Sequence, residues 1–203
     1  MVKTRLLTLV AMIGLVGCGP AATTIPPSAA PTLMPTVPPT PEPTAEPSCP
    51  ELAEATQLLT QESMGYCLMY PQGFLEVYTD PAQVCLVPEG PTMGCHTAVA
   101  LFNVNDAAGR SVDQIADEMI ADTEADIPGI AIQRTSSTVS GQPAVALEGL
   151  PGLTSTRDIL IVHADRLYRL TFVLPGAESA SVEQFERLYT TVIDSFTFLP
   201  VAP

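Results

Sequence analysis

The sequence predicts an α+β domain, a central antiparallel β-sheet with helices packed on its faces. Three observations predict it. Strand-length runs of apolar or alternating residues outnumber helical ones over the last 150 or so of the 203 residues. Short turn signals join successive runs (Pro71-Gln72-Gly73, Ser140-Gly141, Pro151-Gly152, Ala164-Asp165), which suits hairpins rather than crossovers. Two stretches open with Ser-x-x-Gln and continue with apolar residues at helical spacing, so each offers one face to a sheet.

The elements follow in order. Pro50-Glu51 reads as a helix start, with Leu52, Ala55, Leu58 and Leu59 on one side. Strands are expected at Tyr66–Tyr70, Leu75–Tyr78 and Val84–Val87, and the nearly continuous apolar run Thr97–Val104 reads as a sheet-interior strand. Ser111-Val112-Asp113-Gln114 has the form of a capping box. After it, Val112, Ile115, Ala116, Met119 and Ile120 share one face, with Asp113, Asp117, Glu118 and Asp122 opposite. Pro128-Gly129 ends this helix. Strands follow at Ala131–Val139, Pro143–Leu150, Ser155–His163 and Leu167–Leu174. In the last of these Tyr168, Leu170, Phe172 and Leu174 alternate with Arg169, Thr171 and Val173. Ser181-Val182-Glu183-Gln184 repeats the capping box and starts a closing helix, which turns Val182, Phe185, Leu188, Tyr189, Val192 and Phe196 to the core.

Three segments resemble PsbP-like domains: Gly65-Tyr66 through Tyr70-Pro71-Gln72-Gly73-Phe74, Arg166 through Phe172, and Phe185 through Ile193-Asp194-Ser195-Phe196. They correspond to the opening strand and corner, the late central strand and the closing helix of that family. The resemblance covers most of residues 60–199. It implies the α/β/α sandwich of a central antiparallel sheet, and an accessory or binding role without shared catalysis. It carries over no functional residues.

The first eighteen residues set the expected compartment. Lys3 and Arg5 precede an apolar run from Leu6 to Val16, about eleven residues and too short to cross a ~30 Å hydrocarbon layer. Gly17 then stands before Cys18, the pattern of a bacterial lipoprotein signal: cleavage before Cys18 and acyl chains on its sulfur. Each buried CH₂ contributes about 0.8 kcal/mol, so two or three chains anchor stably. The expected organisation is a signal peptide at 1–17, a lipidated Cys18 with a Pro/Thr-rich disordered tether at 18–48, a globular domain at 49–200 and a tail at 201–203. The tether lacks apolar periodicity, and as polyproline II its roughly thirty residues would reach about 90 Å from the membrane.

Charge narrows the partners. The whole chain carries −14; once Lys3 and Arg5 leave with the signal, 22 acids face six arginines and no lysine, or −16. Such a surface excludes nucleic acid, whose phosphates require basic side chains. It also disfavours electrostatic docking on anionic lipid. The expected contacts are the membrane through the anchor and an envelope protein.

Four cysteines remain: Cys49, Cys67, Cys85 and Cys95. In an exported domain they read as two disulfides with three alternative pairings. Cys85–Cys95 is the local choice, across a loop rich in Pro and Gly, which leaves Cys49–Cys67. A helix starting at Pro50 would hold those two apart, and Cα atoms more than ~7 Å apart cannot bridge. A zinc site on Cys85, Cys95 and His96 lacks a C-x-x-C or H-x-x-x-H pair, so no metal is expected. Asp122-Thr123-Glu124-Ala125-Asp126 lacks the glycine and the distal Glu of a calcium loop and reads as a solvated helix end. No G-x-S-x-G elbow, H-E-x-x-H motif or glycine-rich dinucleotide loop is present, and the mature chain has no lysine for a P-loop or Schiff base. No catalytic residue and no cofactor is therefore expected. The reading is a lipid-anchored extracytoplasmic protein presenting a non-enzymatic binding or accessory domain. The alternatives are a small-ligand or cation-binding domain and, after that, a hydrolase using His96 or His163.

Overall fold

The computed structural model describes residues 48–90, 94–151, 155–175 and 179–201. Residues 1–47, which carry the signal pattern, Cys18 and nearly all of the expected tether, lie outside the described residues.

Seven strands form the main sheet in the order β3-β4-β5-β9-β8-β7-β6: β3 Phe74–Asp80, β4 Gln83–Pro88, β5 Ala100–Asp106, β9 Arg166–Val173, β8 Thr156–His163, β7 Gln142–Glu148 and β6 Gln133–Val139. A smaller sheet has the order β1-β2-β10, with β1 Thr56–Gln61, β2 Tyr66–Pro71 and β10 Thr197–Phe198. Every described strand pairing is antiparallel, as the turn signals require.

Period-two alternation sends the main sheet's side chains to two separate cores. Helix α1 (Val112–Asp126) places Val112, Ile115 and Ala116 against Val145, Leu147, Leu160 and Leu167 on one face. Its capping box is formed: the Ser111 hydroxyl accepts from Gln114 N–H at 3.2 Å and the Gln114 side chain accepts from Ser111 N–H at 2.8 Å. The opposite face buries Phe102, Ile159, Ile161, Tyr168, Leu170 and Phe172. These pack against Leu59, Tyr66 and Leu68 of the small sheet and Phe185, Leu188 and Val192 of helix α2 (Ser179–Ser195). The architecture is thus the expected α+β sandwich with a helix on each face.

Three expectations are corrected. The segment after Pro50 is not helical: a turn with Ala55 at φ 57° leads straight into β1. There Thr56 closes back on the Ala53 carbonyl through both its N–H and its hydroxyl. The reason is tertiary. β2 is almost wholly buried, and six cross-strand pairs to β1 satisfy its outer backbone edge, which a helix could not do. Second, α2 begins at Ser179, so Ser181 sits inside its first turn rather than at the cap, and Val182 is exposed rather than in the core. Among the described side chains of α2 the buried stripe begins at Phe185. Third, Thr97 belongs to a one-turn 3₁₀ segment, Cys95–Thr97, and the strand expected from Thr97 starts at Ala100. Thr97 N–H and its hydroxyl both bond the Gly94 carbonyl, which closes the turn before the strand can begin.

Candidate functional site

The arginines give the most direct chemical reading of this acidic domain. Four of the six meet carboxylates: Arg110 with Glu118 at 2.8 Å, Arg134 with both Asp113 and Asp117, Arg157 with Glu148 at 2.5 Å, and Arg169 with Asp158 at 2.6 Å. Arg157 also lies over the Tyr189 ring, 4.7 Å from its centroid, and over Phe185 at 5.5 Å. Among the described residues Arg166 and Arg187 make no ion pair.

Among the described residues Asp158 is the one acid with no exposed surface. One of its oxygens accepts from Arg169 Nε and from the Thr171 hydroxyl, both at 2.6 Å; the other accepts from the Thr156 hydroxyl at 2.9 Å. This carboxylate is fully partnered and faces the α1 side of the sheet, in register with Thr171. Its arrangement is that of a buried charge held by its donors, with no open coordination for a reacting group.

Arg166 stands at the opposite end of the design. It starts β9, pairs in register with His163 across the two-residue Ala164-Asp165 turn, and shares the face of Tyr168. Beyond the end of the core on that face the chain leaves a cleft of about 590 Å³. Its floor comes from the ends of the β6–β7 and β8–β9 hairpins (Ser140, Gln142, His163, Arg166), and its wall from Thr197 through Val201. Two anchors hold that wall. Leu199 N–H donates to the Gly65 carbonyl at 2.9 Å, and His163 stacks on Phe198 with ring centroids 4.1 Å apart. Gly65 is required here: its φ is +78°, and a methyl at this position would overlap Val201 Cγ2. Arg166 Nη1 donates to the Ser63 carbonyl at 3.1 Å, and the Tyr168 hydroxyl donates to the Met64 carbonyl at 3.1 Å, so the β1–β2 turn braces both side chains.

The cysteines are joined as Cys49–Cys67 and Cys85–Cys95, with Cα separations of 5.8 and 5.6 Å. The absent N-terminal helix is what lets Cys49 reach Cys67. With their sulfurs bonded to each other, Cys85 and Cys95 offer no thiolate to a zinc ion beside His96. His96 is exposed in the loop that enters β5, whereas His163 pairs with Arg166, which pairs with Asp106 at the far end of the same strand. The two histidines therefore belong to opposite ends of the sheet and form no common site. Asp122, Glu124 and Asp126 are exposed on the last turns of α1. Cys18 lies outside the described residues.

Sequence reasoning passed over both Asp158 and Arg166. For Asp158 a signal existed: a charged residue within an apolar strand, on the same parity as Leu160. For Arg166 none existed, because the cleft is closed by a tail some thirty residues later in the chain.

No family model matches the chain, and no curated protein matches it. Among solved structures, the chain is similar to the solution structure of cyanobacterial PsbP (CyanoP) from Synechocystis sp. PCC 6803. The match has a TM-score of 0.47 and 14% identity, and covers 74% of this chain and 97% of that one.

Proposed function

We propose that this chain is an extracytoplasmic lipoprotein that presents a non-enzymatic binding domain at the end of a proline-rich spacer, for an envelope protein partner. The observation that carries the reading is the state of the cysteines. All four cysteines of the globular part are paired in two bridges, as suits an oxidising compartment outside the cytoplasm. The leader ending in Gly17-Cys18 supplies the route there, and the proline-rich run to Pro50 supplies the reach. The resemblance of residues 60–199 to PsbP-like domains points to an accessory rather than a catalytic role.

Intact-mass analysis of the native membrane fraction tests the anchor. The expected species begins at Cys18 and carries the mass of two or three acyl chains, and Cys18→Ala moves the protein to the soluble fraction. An unmodified sulfur at Cys18 would overturn the proposal. Crosslinking tests the partner and requires carboxylate- or photo-reactive chemistry, because the mature chain offers no lysine. One envelope protein recovered repeatedly, and lost on deletion of residues 60–199, is the expected result. Recovery of only the bulk envelope proteins counts against it.

A further inference from the structure

We infer that the cleft at Arg166 is a binding site for a small monocarboxylate with an apolar body. Three observations converge on that ligand. The first is charge. In a mature chain of net −16, every residue lining this cleft is free of carboxylate, while Arg166 and His163 both line it. Two acids flank Arg166 on its other side, Asp106, its register partner on β5, and Asp165; Asp106 Oδ1 accepts from Ala108 N–H at 2.7 Å and Asp165 Oδ1 from Gly109 N–H at 2.8 Å, and neither forms an ion pair with Arg166. Glu62 lines a neighbouring depression with Arg166 and Leu199–Val201 and forms no ion pair with Arg166.

The second is preorganisation. Arg166 spends one donor on the Ser63 carbonyl, which fixes the guanidinium; its remaining N–H groups match the two oxygens of a carboxylate. The Tyr168 hydroxyl proton is already given to Met64 and the Thr197 hydroxyl proton to the Ser195 carbonyl, so Arg166, with Gln142 and Ser140 on the same lining, supplies the polar contacts. The third is shape. About 590 Å³ suits a small organic molecule, and Phe198, Leu199, Pro200 and Val201 form one apolar wall beside the charged end. A carboxylate would sit at Arg166 and its hydrocarbon along that wall.

The site is independent of the anchor, and calorimetry on the full chain in neutral detergent tests it with three probes. Benzoate offers both the charge and the apolar body, benzamide the body alone, and inorganic phosphate the charge alone. Saturable benzoate binding is expected, with benzamide and phosphate each weaker by about tenfold or more. Arg166→Gln should lower benzoate affinity by about tenfold or more, and Gln142→Glu, which brings a carboxylate into the cleft, should do the same. Thermal unfolding like that of the parent chain confirms that both variants fold. Absence of saturable benzoate binding at millimolar concentration overturns the inference. So does benzamide binding as well as benzoate, phosphate binding as well as benzoate, or affinity unchanged in Arg166→Gln.

Discussion

Arg166 and Arg169 are three residues apart on β9, yet they face opposite sides of the sheet and do opposite things. Arg169 closes on Asp158, a carboxylate with no access to solvent. Arg166 faces a cleft without a carboxylate and is held by a backbone carbonyl. Strand parity alone separates them, because an odd spacing on a pleated strand puts two side chains on different faces. In a chain so rich in acids, an arginine that meets one says little about function. An arginine that forms no ion pair, with Asp106, Asp165 and Glu62 all near it, marks a surface built for something else.

The largest effects test the covalent frame around each arginine. Cys85 lies in one cross-strand row with Leu101, Thr171 and Asp158, so the Cys85–Cys95 bridge belongs to the Arg169 side. Cys49–Cys67 ties down the β1–β2 pair whose turn braces Arg166. Closed loops of this length contribute about 3 kcal/mol each through restriction of the unfolded chain. Replacing either pair by alanine should cost that much in urea unfolding. Amide exchange should distinguish the two: loss of Cys49–Cys67 accelerates exchange at Met64 and Gly65, and leaves β8 and β9 close to their parent protection. Equal acceleration at both places would erase the distinction between the two regions.

The comparison itself is tested by truncating each arginine. Arg169→Met leaves the buried Asp158 carboxyl with two hydroxyls alone, and should cost about 3 kcal/mol. The low end of the range for a broken buried pair applies because the Arg169 side chain keeps 38% exposure. Arg166→Met should stay within about 0.5 kcal/mol, since it strands no buried charge. In an Asp158→Asn background the Arg169→Met loss should fall to about 1 kcal/mol or less. Equal losses for the two arginines would show that parity does not divide their roles.

A pH titration probes the core on the Arg166 side. Tyr66 stacks on Phe196 at 5.6 Å and meets Tyr168 edge-on at 6.1 Å. Its phenol is held well above the ordinary 10.0, chiefly by burial. Tyr70, on the same strand, is raised in the same way, with its hydrogen bond to Glu76 adding to the effect of burial. A pKa higher in the folded state than in the unfolded one means that the neutral phenol favours folding. That contribution is complete below pH 10.0 and is lost as the pH rises above it. Stability should therefore hold up to about pH 10 and decline beyond, with tyrosinate absorbance lagging behind free tyrosine. Absorbance that titrates at the ordinary value in folded protein would show that these rings are wet.

Much of this was legible in the sequence, for identifiable reasons. The α1 capping box, the alternation in β9 and the two-residue turn at Ala164-Asp165 are local, and all three stand in the structure. That turn also fixes the pairing of Asp158 with Thr171 and of Leu160 with Arg169, so the buried carboxylate's partners could be counted from it. The stretch after Pro50 misled because its composition favours a helix, while the free edge of β2 and the bridge to Cys67 decide the outcome. The cleft was not legible at all. It needs Leu199 on Gly65 and Arg166 on Ser63, contacts across more than a hundred residues that no local pattern encodes.

A further small effect falls on the turn that sets both arginines. The β6–β7 hairpin turns through Ser140 (φ 48°) and Gly141 (φ 75°), and the β8–β9 hairpin through Ala164 (φ 48°) and Asp165 (φ 59°). Both have positive φ at each central residue, as the right-handed twist of the flanking strands favours. Only the first has a glycine there, so Ala164 and Asp165 are both strained. Asp165 offsets its strain: its carboxylate accepts from Gly109 N–H, and its carbonyl accepts from Ala107 N–H at 2.9 Å. Ala164 makes no hydrogen bond that compensates. Ala164→Asn should therefore stabilise the domain by about 0.5–1 kcal/mol, while Asp165→Gly should be close to neutral because the Gly109 bond is lost. A destabilising Ala164→Asn would mean the hairpin needs this alanine for some other reason. Since one residue more or less in this turn would exchange the faces of β9 relative to β8, the strain is tolerated where it keeps Arg169 on Asp158 and Arg166 in the open cleft.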